Sequence, residues 1–160
     1  MHSHKLIPAL ALAAGLVAPA ALAASPAAAM TATCTVTLYD IDAFNVAERD
    51  GRDELRFLVD GNLFPRFNSN WFGMRSGGDG DPGDFEGPSS LIVGNNNVTF
   101  DLREVTPPAV GRGDSLGVAI AHGSVCAPLA AGQTAIEEDI ITGTDETAYS
   151  YSVRLLVTGR

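Results

Sequence analysis

The chain is short of the side chains on which most catalytic sites depend. Lysine occurs once, at Lys5, and every other basic residue is an arginine. Histidine occurs at His2, His4 and His122, so beyond the extreme N-terminus only His122 is available. A Ser-His-Asp arrangement would have to pair His122 with a serine such as Ser124, and that pair lacks the strained turn that usually exposes a nucleophile. A zinc site would need His122 plus carboxylates, an unusual donor set, and His122 is read as structural. One tryptophan and three tyrosines leave little surface for stacking on sugars. No long stretch carries a helical apolar period. Positive charge is scarce as well: 10 basic residues face 19 acidic ones, for a formal charge of −9. That balance argues against nucleic acid as a partner and against attachment to an anionic bilayer through basic residues.

The first residues carry an address. His2, His4 and Lys5 precede an apolar run over residues 6–22 that ends at Ala21-Leu22-Ala23, an A-x-A cleavage pattern. Residues 1–23 are therefore expected to be a secretory signal peptide, and residues 24–33 a flexible lead. Residues 34–160 are expected to form one domain. No later stretch is long and apolar enough to span a bilayer, so the processed chain is expected to be secreted, without membrane insertion. In an exported protein the two cysteines, Cys34 and Cys126, are most simply a disulfide.

What the domain has in quantity is short alternating segments and carboxylates. Cys34, Val36 and Leu38 alternate with polar residues, as do Leu55, Phe57 and Val59, the pattern of strands with one face on a core. Between them Asp40, Asp42, Glu48, Asp50, Asp53 and Glu54 crowd what reads as a long acidic connection. Asp60-Gly61 is a hairpin signal, and Pro65 marks the returning segment as an edge strand or bulge. Trp71 and Phe72 are expected to plug one end of the core. Residues 76–88 (SGGDGDPGDFEGP) fit neither the EF-hand spacing nor the Gly-rich calcium repeat, and are expected to be a solvated, mobile loop.

Residues 91–93 and 98–105, joined by Gly94-Asn95-Asn96-Asn97, read as another hairpin. Leu116, Val118 and Ile120 lie in a strand leading to Cys126. Residues 136–141 (IEEDII) fit either a helical turn or a strand, and the final strand places Tyr149, Tyr151, Val153, Leu155 and Val157 on one face. Arg112-Gly113-Asp114 is read as a Gly-rich turn rather than an adhesion motif. Seven or eight such strands make an antiparallel β-sandwich the expected fold.

The run Glu48-x-Asp50-Gly51-x-Asp53-Glu54, the following Val59-Asp60-Gly61 and the closing Tyr149-Ser-Tyr-Ser-Val-Arg resemble small secreted actinomycete β-sandwich proteins, some of them C2-like. The resemblance implies an exported, non-enzymatic module with carboxylates gathered at one end of the sandwich. The late strands offer only Glu137-Glu138-Asp139 and Asp145-Glu146 where a C2 calcium site would have a second Asp-x-Asp loop.

The functional expectation is a secreted binding or adaptor module whose partner is an extracellular protein or cell surface, such as a subunit of an antibacterial assembly. Exposed edge strands offer one route to such a partner. A carboxylate-dependent hydrolase of glycans or cell wall, using Asp50, Asp53 and Glu54, is one alternative. A protease inhibitor presenting Arg75 or Arg112 is another. Asp40, Asp42, Asp50 and Asp53 form the candidate metal set, for calcium, with arginine neutralisation by Arg49 and Arg52 as the competing arrangement.

Overall fold

The computed structural model describes residues 31–67, 70–107 and 111–160. The expected signal peptide and most of the flexible lead lie outside the described residues. The chain folds as a β-sandwich of two antiparallel five-stranded sheets. Strand β1 (Thr33–Asn45) is followed by β2 (Arg52–Val59), β3 (Asn62–Phe64), β4 (Phe72–Arg75), β5 (Asp79–Gly80), β6 (Ser89–Val93), β7 (Val98–Glu104), β8 (Asp114–Ala121), β9 (Thr134–Thr144) and β10 (Ala148–Gly159). One turn of helix, α1 (Gly123–Cys126), sits between β8 and β9. Several strands are short, which is why alternation alone counted seven or eight.

The two sheets are built alike. In the first, β1 pairs with β10, β10 pairs with β9, and the other edge of β1 is shared by β6 and β5. In the second, β2 pairs with β7, β7 pairs with β8, and the other edge of β2 is shared by β3 and β4. Between the sheets lies the core that the alternation marks out: Val36, Leu38, Leu55, Phe57, Val59, Phe100, Leu102, Tyr151, Val153, Leu155 and Val157 are all buried. Burying such side chains is the main term that holds the sheets face to face. Cys34 on β1 and Cys126 on α1 form the expected disulfide, with Cα atoms 5.8 Å apart.

Local irregularities decide where the charged side chains go. In β1 the register with β10 shifts at Tyr39, so the buried positions change from Val36 and Leu38 to Ile41 and Ala43. An extra residue in one strand reverses which side chains face the core. Asp40 and Asp42 are thereby placed within a strand and on its outer side, not in the acidic connection, which is only the six residues between β1 and β2. A second irregularity, where Leu102 and Arg103 face Gly117 and Ser115, leaves Leu116, Ala119 and Ala121 buried and Val118 exposed.

Two further expectations are corrected. The turn at residues 94–97 does not close a hairpin: β6 pairs with β1 in one sheet and β7 with β2 and β8 in the other, so the turn crosses between sheets. Residues 76–88 are largely exposed, as expected, but they are not a free loop. Asp79–Gly80 pairs with β1, and a 3-10 turn at Pro82–Phe85 buries Phe85 completely. Its ring meets Phe57 edge-on at 5.0 Å and Phe72 at 5.2 Å, a geometry favoured by aromatic quadrupoles. Phe72, partly buried, packs against the core as expected of it; Trp71 is also partly buried but is not among the residues packed against that core.

A carboxylate cluster at one end of the sandwich

The short connection between β1 and β2 is held from beneath by a single side chain. Asp53 is fully buried, and its carboxylate accepts hydrogen bonds from the backbone N–H of Ala47 (2.7 Å) and Glu48 (2.9 Å). The Tyr151 hydroxyl, reaching across from β10, donates to the same carboxylate. Burial, reinforced by that hydrogen bond, pushes the Tyr151 hydroxyl far above its ordinary pKa, so it stays protonated as a donor. From above, Thr147 donates its N–H to the Ala47 carbonyl (2.8 Å) and its hydroxyl to the Val46 carbonyl (2.7 Å). Asp50 accepts from the Arg52 N–H at 2.9 Å, turning the chain into β2. The connection is a fixed platform.

Glu48 projects from that platform towards Glu54 on β2 and Glu104 at the end of β7. One carboxylate oxygen from each of these three residues lies within 4.8 Å of the others, the group of this kind found among the described residues. Glu104 is 4% exposed, and its Oε1 is buried with no hydrogen-bond partner. Burial first, then the contact with Glu48, push the Glu104 carboxyl up to about 8. Glu104 is therefore the acid of the pair and donates to Glu48. Burial also raises Glu48 and Glu54, and the Glu48 charge raises Glu54 further. The nearest compensation is weak: Arg52 Nε stands 4.0 Å from Glu54 and its side chain is half exposed. Arg52 lies where a side chain on Gly73 would otherwise be, because a Cβ there would collide with its guanidinium.

The aspartates named from sequence are located elsewhere, and none is in this group. Asp40 and Asp42 both bind Arg154 on β10, at 2.5 and 2.6 Å. Asp50 serves the turn, and Asp53 has its oxygens committed to the connection above it. As a calcium set, Asp40, Asp42, Asp50 and Asp53 are not brought together. The same commitment of Asp53 weakens the trio Asp50, Asp53 and Glu54 as hydrolytic carboxylates. Glu104 was missed although it carried a signal: it continues the core-facing series Val98, Phe100 and Leu102, so alternation puts a carboxylate on the buried side.

His122 bonds Glu137 through Nδ1 at 2.7 Å, a structural contact. Glu137 also accepts from the His122 N–H, and Asp139 from the Ile120 N–H at 2.6 Å. These two carboxylates of β9 occupy donors on the open edge of β8, so that edge is closed to strand addition there. Arg112 lies in a bend and Asp114 opens β8; the carbonyls of Arg112 and Gly113 accept from Arg103, the former at 2.7 Å.

No protein-family model matches the chain, and no curated protein sequence matches it significantly. Among solved structures, a C2 domain of plant extended synaptotagmin 1 is similar, with a TM-score of 0.43 and 6% sequence identity over 81% of this chain and 95% of that one. At that level the neighbour says nothing about what this chain binds. No helix among the described residues is long and apolar enough to cross a membrane.

Proposed function

We propose that this is an exported, non-enzymatic binding module that docks an extracellular protein on the outer face of the sheet containing β1 and β10. The observation that supports the reading is the composition of that face. Leu91 and Val93 on β6 and Ile136 and Ile140 on β9 are about half exposed, as is Tyr39 on β1. Ile136 stands opposite Leu156, which stands opposite Thr37, whereas Leu91 and Val93 lie in other rows, opposite Thr35 and Thr33. Between the rows of Ile136 and Ile140 the face is charged, with Arg154 bound by Asp40 and Asp42, and Glu138 accepting from Ser152 at 2.5 Å. Aliphatic side chains on the two flanking strands, with threonines and charged groups on the strands between them, offer the mixture of apolar and polar contacts that protein-binding surfaces use. A protein partner fits better than a polysaccharide, because the exposed side chains are mainly aliphatic.

The test is affinity capture of the tagged exported chain from the culture supernatant of its natural host, compared with a Leu91→Asp/Ile136→Asp variant. Both positions are exposed, so the variant should fold and unfold within about 1 kcal/mol of the parent, as surface substitutions do. A partner enriched with the parent and lost with the variant supports the reading. The same partner recovered equally with both moves the binding surface elsewhere. Sedimentation of the purified chain distinguishes a second copy of itself from a different protein.

A further inference from the structure

We propose that Glu48, Glu54 and Glu104 form a divalent-cation site, calcium being the cation that suits them best. The site is independent of the outer sheet face and lies on residues other than the aspartates singled out by sequence. Two observations carry it. First, the three carboxylates converge with their oxygens within 4.8 Å of one another. Two oxygens bound to one calcium at about 2.4 Å can be separated by about that much, so the group needs little rearrangement to share an ion. Second, Glu104 is buried yet leaves Oε1 without a partner. A buried carboxylate oxygen that accepts nothing is costly, and nearly all such atoms in folded proteins are satisfied. A cation held between the three side chains supplies the missing interaction.

The surroundings favour positive charge. Asp53 and Asp50 add negative potential beside the cluster, and Arg52 offers only a 4.0 Å approach to Glu54 from an exposed position. Glu48 and Glu54 are only partly buried and leave the cluster open to solvent, whereas Glu104 is buried. Once Glu104 gives up its proton to the incoming cation, the donors are all carboxylate oxygens, which suit hard cations and not thiophilic metals. Carboxylates free to bind in one- or two-oxygen modes, with water completing the shell, match the flexible coordination of calcium better than the strict octahedron of magnesium. The platform fixed by Asp53 and Thr147 sets the position of Glu48, so binding should be local and should not need the fold to change.

The experiment is thermal unfolding and titration calorimetry on chelator-stripped protein with calcium chloride, manganese chloride and magnesium chloride. An affinity in the range of about 0.1–1 mM would be typical of extracellular modules. The expected result is a midpoint that rises by several degrees as calcium passes its dissociation constant, less with magnesium. Glu104→Gln and Glu54→Gln, which keep side-chain size, should each weaken the effect at least tenfold, while Asp42→Asn should leave it unchanged. Far-ultraviolet circular dichroism checks that each variant folds. No shift and no binding heat up to about 10 mM calcium or manganese would overturn the proposal. So would an undiminished shift in folded Glu104→Gln, and loss of the shift in Asp42→Asn alone would return the site to the Arg154-linked aspartates.

Discussion

Two buried carboxylates, Asp53 and Glu104, behave in opposite ways because their hydrogen-bond partners differ. Asp53 is surrounded by donors: the N–H groups of Ala47 and Glu48 and the Tyr151 hydroxyl. Glu104 meets other carboxylates, and burial together with Glu48 lifts its pKa from 4.5 to about 8. The sign of the consequence follows from proton counting. Below about pH 4.5 Glu104 is protonated in both folded and unfolded chains, and its contribution to stability is complete. From there to about pH 8 the folded state holds a proton that the unfolded state has lost, so stability falls as pH rises, and above that the loss is finished. The groups facing it, Glu48, Glu54 and Asp53, are all acidic, and Arg52 reaches only the Glu54 side. Denaturant unfolding in the presence of chelator should show that decline for the parent and a flatter profile for Glu104→Gln. The variant should be the more stable at pH 8, by about 1–3 kcal/mol, because an amide has no proton to lose from the buried site. Identical profiles for the two proteins would contradict this account of Glu104.

At the scale of elements, alternation made the strands legible but could not announce where it breaks. Cys34, Val36, Leu38, Leu55, Phe57, Val59 and the final series Tyr151, Val153, Leu155 and Val157 face the core as period-two reading requires. The extra residue at Tyr39 has no mark in the sequence, yet it moves Asp40 and Asp42 to the outer side and into partnership with Arg154. A turn such as residues 94–97 has the same composition whether it joins neighbours in one sheet or crosses to the other, so sheet membership was not legible either. Phe85 was hidden by the glycines and aspartates around it, whose composition suggested solvent, although one buried ring suffices to hold the segment down. The carboxylate cluster was half visible: Glu48 and Glu54 stand in the acidic run, but Glu104 joins them only through the pairing of β2 with β7.

The disulfide is the element-scale device with the longest reach, joining β1 to α1 across a sequence separation of 92. By loop-closure entropy such a crosslink is worth about 4–5 kcal/mol before strain is subtracted, and removal from small exported domains costs about 2–5 kcal/mol. Replacing both cysteines with alanine should lower stability by an amount in that range in denaturant titration. A change below about 0.5 kcal/mol would mean that the β1–β10 pairing and the core already restrain the same ends.

Considered as one molecule, the sandwich builds the proposed docking face and the proposed cation site from different residues. The open edge of β8 is occupied by Glu137 and Asp139 of the neighbouring β9, so partner binding is assigned to a face and not to that edge. The carboxylate cluster sits where the β1–β2 connection meets the end of β7, held by Asp53 and Tyr151 from both sheets. The central claim is that a protein covers the outer face of the first sheet outside the cell. Hydroxyl-radical footprinting tests it most directly, by labelling the exported chain in its native supernatant and again after purification to the isolated chain. The account predicts that Tyr39, Leu91, Ile136 and Ile140 are protected in the first sample and labelled in the second, while Val118 on the opposite sheet is labelled alike in both. Equal labelling of all five residues in the two samples would contradict it.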